Sequence, residues 1–309
     1  MVIKHVVSCS TGKDSVATLA LALENCPREH VIPIFCDTGN EHDAVYEHLA
    51  YLEKALGITI IRLKADFTER MERHRLRLIE IAAGGPDYFP SAKFPWTPER
   101  AAKAAELMYP SGNPFLDLCM IKGLFPSHGR QFCTEELKRN LAVEFQMDIV
   151  DAGDSMLSWQ GVRRDESVRR LNAKKMERIG PRMWAFRPIV DWTAMETFAF
   201  AKSRGIQSNP LYSQGMGRVG CMPCINVNKN ELREIAARFP EQIDRIRQWE
   251  KIVCDVSRSG KSSFLHSGGF TTIDDRVEWS KTTRGGKQFD LLGDLAEPTA
   301  CSSAYGLCE

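Results

Sequence analysis

Over its first two hundred residues the chain alternates short aliphatic, β-branched runs with stretches whose apolar positions recur every three or four residues. The runs 3–9 and 31–36 read as buried strands, and residues 15–24 between them read as a helix. A strand, a helix and a second strand at this spacing predict a parallel βαβ unit with a right-handed crossover. Residues 43–56 place Tyr46, Leu49, Leu52 and Leu56 on one helical face, and 58–63 predict a third strand. A charged helix is expected over 68–82, after which Gly84-Gly85-Pro86 and a Pro/aromatic stretch to Trp96 predict an irregular excursion. Residues 148–159 and 183–190 predict further strands, and 193–203 another helix. Past residue 225 two helical segments flank Phe239-Pro240, a Gly/Ser-rich stretch covers 257–269, and the tail shows no clear period. The pattern predicts an α/β fold: a doubly wound, mainly parallel sheet over residues 1–225, with a helical and irregular appendage over 226–309.

In such sheets ligands sit beyond the carboxyl ends of the strands, and the polar motifs fall there. Ser8-Cys9-Ser10-Thr11-Gly12-Lys13-Asp14-Ser15 joins the first strand directly to a helix. A hydroxyl-rich loop opening into a helix aims several backbone N–H groups and a positive helix end at one point, which suits phosphate. The Walker spacing fails, because Val7 stands at the first glycine position and Asp14 at the hydroxyl position. A dinucleotide fingerprint fails too, since Gly12 is the sole glycine in the loop. After the second strand comes Asp37-Thr38-Gly39, where a carboxylate at a strand end can orient a nucleoside or a metal. A capped turn explains the same residues equally well. Gly161-Val162-Arg163-Arg164, with Arg169 and Arg170 behind it, sets four guanidiniums within eight residues, and Arg is the planar bidentate donor for phosphate and sulfate. A solvated charged face is the alternative.

Composition narrows the class. The 309 residues are 43% apolar and 26% charged with a net charge of +1, so no overall basic field points to nucleic acid. No apolar run reaches the roughly 18 residues that span a bilayer, and Lys4, His5 and Ser8 interrupt any leader-like segment, so a cytoplasmic protein is expected. In a reducing compartment ten cysteines point to metal, cluster or thiol chemistry rather than a disulfide framework. Cys221-Met222-Pro223-Cys224 puts two thiols on one turn, as a metal grip or a redox pair, and Cys133 stands at a helix start, where the dipole favours a thiolate. Cys9, Cys26 and Cys36 lie in core elements and read as structural.

Taken in order, Ser-x-Gly-Lys-Asp-Ser at 10–15, Asp37-Thr38-Gly39, Gly161-x-Arg163-x-x-x-Ser167 and Cys221-x-x-Cys224 after Asn209-Pro210-Leu211-Tyr212 resemble the phosphoadenosine phosphosulfate (PAPS) reductase branch of the adenine nucleotide α-hydrolase group. The resemblance implies that Ser8, Ser10, Thr11, Gly12, Lys13, Asp14, Ser15, Asp37, Thr38, Gly39, Gly161, Arg163 and Arg164 bind a nucleotide, PAPS or ATP. It further implies a [4Fe–4S] cluster, with zinc as the alternative. The family's tandem cysteine pair is reduced here to Cys133, so Cys133, Cys221 and Cys224 need a fourth ligand, assigned to Cys301, with Cys119, Cys254 and Cys308 as other candidates. The tail Gly306-Leu307-Cys308-Glu309 is a rearranged relative of the family's Glu-Cys-Gly-Leu end, which implies Cys308 as nucleophile, acting with Lys13 and Arg163 to reduce the bound sulfonucleotide to sulfite, and thioredoxin or glutaredoxin as reductant. Two other activities remain open: an ATP pyrophosphatase-type sulfur transferase acting on DNA or tRNA, and a non-catalytic nucleotide sensor.

Overall fold

The computed structural model describes residues 2–87, 93–265, 269 and 271–283. Strands β1 (Ile3–Ser8) and β2 (Val31–Asp37) flank helix α1 (Lys13–Asn25), and α2 (Asp43–Leu56), β3 (Ile61–Lys64) and α3 (Thr68–Ala82) follow. Next come α4 (Pro98–Leu107), α5 (Pro114–Lys122), the short α6 (Phe132–Thr134), a π-helical turn (Glu135–Arg139) and α7 (Asn140–Asp151). Strands β4 (Ser155–Trp159), β5 (Met176–Gly180) and β6 (Met183–Phe186) precede α8 (Ala194–Ser203) and α9 (Pro210–Ser213). The described chain finishes with α10 (Lys229–Arg238), α11 (Pro240–Asp255) and α12 (Ile273–Lys281). None of these helices is long and apolar enough to cross a membrane.

The six strands form one sheet in the order β3-β2-β1-β4-β6-β5, parallel except for the edge strand β5 against β6. Alternation of side chains sends neighbouring residues to opposite layers. On β1, Val6 packs into the layer with Ala142 and Val150 of α7, while Val7 joins the main core with Leu19 of α1 and Leu49 of α2. The order reverses between β1 and β4, a topological switch point, so the loops leaving β1 and β4 meet at the carboxyl edge.

The expected doubly wound architecture is present, with α2 and α3 at the expected bounds. Residues 148–159 are not one strand: α7 runs through Asp151 and β4 starts at Ser155. Ile149 and Val150 are the apolar last turn of an amphipathic helix covering the minor core, a run too short for its period to tell helix from strand. Beyond the excursion, α4 and α5 form over a stretch to which the sequence pattern assigned no element, each with Pro at its start and a Thr97 or Asn113 cap. In the tail, the reciprocal Thr272/Asp275 capping box starts α12, a start signal that outweighs weak periodicity. Leu232, Ile246, Trp249 and Val277 of α10, α11 and α12 belong to the same continuous core as α1 and α2.

Candidate functional site

The loop after β1 is held by its own side chains. Ser15 Oγ accepts the Ser10 N–H at 3.1 Å and donates to the Gly12 carbonyl at 3.0 Å. Thr11 sits at φ 66°, a left-handed conformation that a β-branched residue adopts only under constraint. The constraint comes from the Asn-Pro-Leu-Tyr segment: Asn209 Nδ2 donates to Thr11 Oγ1 at 3.3 Å, and the Lys13 N–H donates to the Tyr212 hydroxyl at 2.9 Å. The Lys13 ammonium lies 5.8 Å from the Tyr212 ring centre, a cation–π contact that steers it. The segment read as a prelude to the cysteine pair therefore braces the 10–15 loop.

Across the switch point, Gly161 sits against the first turn of α1. A Cβ there would lie 2.8 Å from the Asp14 carbonyl carbon and 2.9 Å from the Ser15 nitrogen, so only glycine lets β4 and α1 approach this closely. Arg163 follows, 3% exposed, with its Nε 2.6 Å from Oδ1 of the fully buried Asp14 and its Nη1 paired to Asp165. Burial opposes the charge on Arg163, but Asp14 outweighs it and holds the guanidinium more firmly protonated than usual. The four arginines do not form one clamp. Arg164 donates to the Ala173 carbonyl at 3.0 and 2.8 Å and pairs with Asp191, and Arg170 pairs with Glu166.

The loop after β2 belongs to the cysteine side. Asp37 Oδ1 accepts from the Gly39 N–H at 3.0 Å and from the Tyr46 hydroxyl at 2.8 Å, the capped-turn arrangement. Gly39, at φ 76°, is fixed by Asn113, whose Nδ2 donates to its carbonyl at 2.6 Å. Thr38 Oγ1 lies 2.7 Å from Glu41 Oε1 and 3.4 Å from Cys221 Sγ, and the Cys221 thiol faces the same carboxylate at 3.6 Å. Backbone pairing locks the two loops together: Met222 N–H donates to the Asn40 carbonyl at 2.8 Å, and Asn40 Nδ2 donates to the Pro223 carbonyl at 3.0 Å. From α11, Arg245 Nη2 donates to Asn40 Oδ1 at 3.0 Å and to the Met222 carbonyl at 2.8 Å.

Cys133, Cys221 and Cys224 line a single small cavity, together with Ser10, Thr38, Lys138, Arg218 and Asn226. Lys138 is delivered by the π-helical turn, a widened turn common at functional sites. Burial pushes the Cys221 thiol up to about 12, Lys138 opposing and Glu41 and Cys224 adding to the shift. Cys133 rises to about 11, chiefly by burial and then by Cys224. Burial works against the Lys138 charge, yet Cys221, Glu41, Cys224 and Cys133 hold it above the ordinary lysine value. Thiolate donors suit a soft metal centre, but among the described residues no three Cys, His, Asp or Glu side chains converge on one metal ion. Three thiols share the cavity without being gathered into a metal-holding group, and thiolate chemistry suits zinc and iron–sulfur alike. Cys119 is buried, with a thiol raised by burial and then by Cys133, and Cys254 is engaged with the Ser262 backbone. Cys301 and Cys308 lie outside the described residues.

A second, smaller cavity at the strand ends is lined by Ser8, Ser10, Cys36, Glu41, Lys138 and Gly220, so Ser10, Lys138 and Gly220 face both cavities. Sequence reasoning missed Glu41, Lys138, Asn209, Tyr212, Asn226 and Arg245. For Lys138 and Asn226 the available signal was proximity in sequence to Cys133 and Cys224; for Arg245, on a C-terminal helix, there was none.

Fold and site together define a doubly wound α/β domain with a cysteine-lined cavity beside the loop that joins β1 to α1. The sequence profile of the phosphoadenosine phosphosulfate reductase domain matches residues 4–78 and 127–227, and the chain belongs to that family. It is 43% identical, over 99% of its length and 96% of the relative's, to the "Uncharacterized 37.8 kDa protein in gpa 5'region" of Escherichia phage 186. An adenosine 5'-phosphosulfate reductase of Burkholderia cepacia is 35% identical over 38% of this chain and 42% of its own. A crystal structure of the PAPS reductase of Candida auris, in phosphate complex, aligns with a TM-score of 0.42 at 14% identity, over 71% of this chain and 81% of that one.

Proposed function

We propose that the chain binds an adenylyl sulfonucleotide, with its anionic end in the 10–15 loop, and reduces it by thiol attack. The observation that carries this reading is the shared rim: Ser10, Lys138 and Gly220 face both the strand-end cavity and the thiol cavity, so an anion in the loop lies beside the cysteines. The attacking thiolate is assigned to Cys308, on the strength of the tail motif. Its sulfur bonds to the sulfonate sulfur, the bond from that sulfur to the phosphate oxygen breaks, and the nucleoside phosphate leaves with the electron pair. Lys13 and the loop N–H groups offset the charge gathering on the leaving phosphate, while Arg163 keeps the loop in place through Asp14. A thioredoxin or glutaredoxin thiolate then attacks Cys308 Sγ, releases sulfite, and is itself resolved by its second thiol, which leaves that partner oxidised and Cys308 reduced. Cys133, Cys221 and Cys224, with Cys301, would hold the cluster, which when bound supplies a polarising, redox-capable centre beside the nucleotide.

The test is a paired assay. Sulfite release from PAPS or adenylylsulfate with thioredoxin, lost in Cys308→Ser, is the expected result. Pyrophosphate release from ATP, stimulated by DNA or tRNA and without sulfite formation, would replace this reading with the sulfur transferase, and nucleotide binding without either reaction would make the chain a sensor.

A further inference from the structure

Asn226 is 1% exposed and lines the cysteine cavity, yet among the described residues neither its Oδ1 nor its Nδ2 has a hydrogen-bond partner. Native interiors rarely leave one buried polar atom unpaired, let alone both ends of one amide. Its position is fixed by the backbone, since the Asn226 N–H points to Cys224 Sγ at 3.5 Å. The described lining of the cavity includes two cations, Lys138 and Arg218, together with the Ser10, Thr38 and Thr134 hydroxyls, and no carboxylate. Arg218 is shared with Glu231 outside this lining, which leaves Lys138 as the main counter-charge among the thiols. A buried amide beside a lysine and several hydroxyls is the donor set for a small oxyanion.

We propose that Asn226 is a substrate-contacting, specificity-determining residue: its Nδ2 donates to a sulfur oxyanion held beside Lys138, and its Oδ1 accepts from a water carried in with the anion. The inference rests on the sulfonucleotide reading and deepens it, because sulfite is the oxyanion that reading releases. Phosphate and sulfate share the chemistry, so the ligand arms distinguish them.

The experiment uses the full chain and three probes, sodium sulfite, sulfate and phosphate, read by isothermal titration and thermal shift. Wild type is expected to bind sulfite more tightly than phosphate. Asn226→Leu, which removes the unpaired amide, is expected to raise the melting temperature without ligand by about 2 °C and to weaken sulfite binding about 10-fold, or 1.4 kcal/mol. Asn226→Asp, of the same shape but anionic, is expected to weaken sulfite binding further, with its melting temperature and circular dichroism reporting that it folds. Sulfite affinity within twofold of wild type in a folded Asn226→Leu or Asn226→Asp overturns the proposal, as does a wild type that binds none of the three anions or prefers phosphate. Sulfite binding that depends on Asn226, in a protein that releases no sulfite from PAPS, would remove the reductase reading and leave the anion site standing.

Discussion

The two halves of the site are built differently. The 10–15 loop is braced throughout: Ser15 holds Ser10 and Gly12 within it, while Arg163, Gly161, Asn209 and Tyr212 pack against it from distant segments. The cysteine cavity is assembled from segments far apart in the chain, the 37–41 loop, the π-helical turn, the Cys221–Cys224 turn and α11, and it keeps unpaired polar atoms on Asn226. One half is preorganised for a ligand held by backbone and fixed charge, and a preformed donor array needs no rearrangement when charge develops. The other half leaves hydrogen-bonding capacity open at Asn226 among the described residues, and there the proposed chemistry and specificity would reside.

Substitutions in the two halves should separate accordingly. The largest effect is expected at Asp14, fully buried against Arg163. Asp14→Ala removes the buried partner of Arg163 and leaves it only the half-exposed Asp165, and should cost about 3 kcal/mol in urea unfolding. The double change with Arg163→Met should recover part of that loss. An Asp14→Ala protein as stable as wild type would break the picture of a rigid loop. Lys138→Met should leave stability nearly unchanged but lower turnover about 100-fold, the scale of a lost electrostatic contact to a reacting group. Equal losses of turnover and stability would make Lys138 a structural counter-ion only. Gly161→Ala pushes a methyl into the first turn of α1 and should cost about 2 kcal/mol, the overpacking scale, with weaker nucleotide binding. Arg245→Gln unties Asn40 from Met222 and should lower kcat/KM about 10-fold by loosening the geometry, with nucleotide affinity unchanged. A change in affinity instead would mean that α11 serves the nucleotide half.

The smallest effect is a pH dependence outside both cavities. His48 of α2 is buried against Tyr51, and burial lowers its pKa to about 4 from the ordinary 6.5. A lowered folded value means that the neutral imidazole is stabilising, so its contribution is present above pH 6.5 and lost as pH falls toward 4. His48→Gln should flatten the acid limb of the stability curve over that range, measured by urea titration. A wild-type curve that is already flat there would count against the burial of a neutral His48.

Local pattern was enough for much of this. The βαβ alternation, the bounds of α2 and α3, and the polar loops after β1 and β2 were legible because strand and helix periods, turn residues and helix entry are properties of adjacent residues. The boundary inside 148–159 and the helices α4, α5 and α12 were not, because short apolar runs and brief charged helices take their conformation from what they cover. By itself, then, the sequence determined the doubly wound class and the place of the polar 10–15 loop between β1 and α1. Tertiary structure alone decided that Arg163 pairs with Asp14, that Tyr212 and Asn209 brace the loop, that Lys138 and Asn226 line the cavity of Cys133, Cys221 and Cys224, and that Arg245 ties two loops together. The physical reason is range: hydrogen bonding within a turn is written in neighbouring residues, whereas burial, ion pairing and the convergence of thiols depend on chain segments that only the packed core brings together.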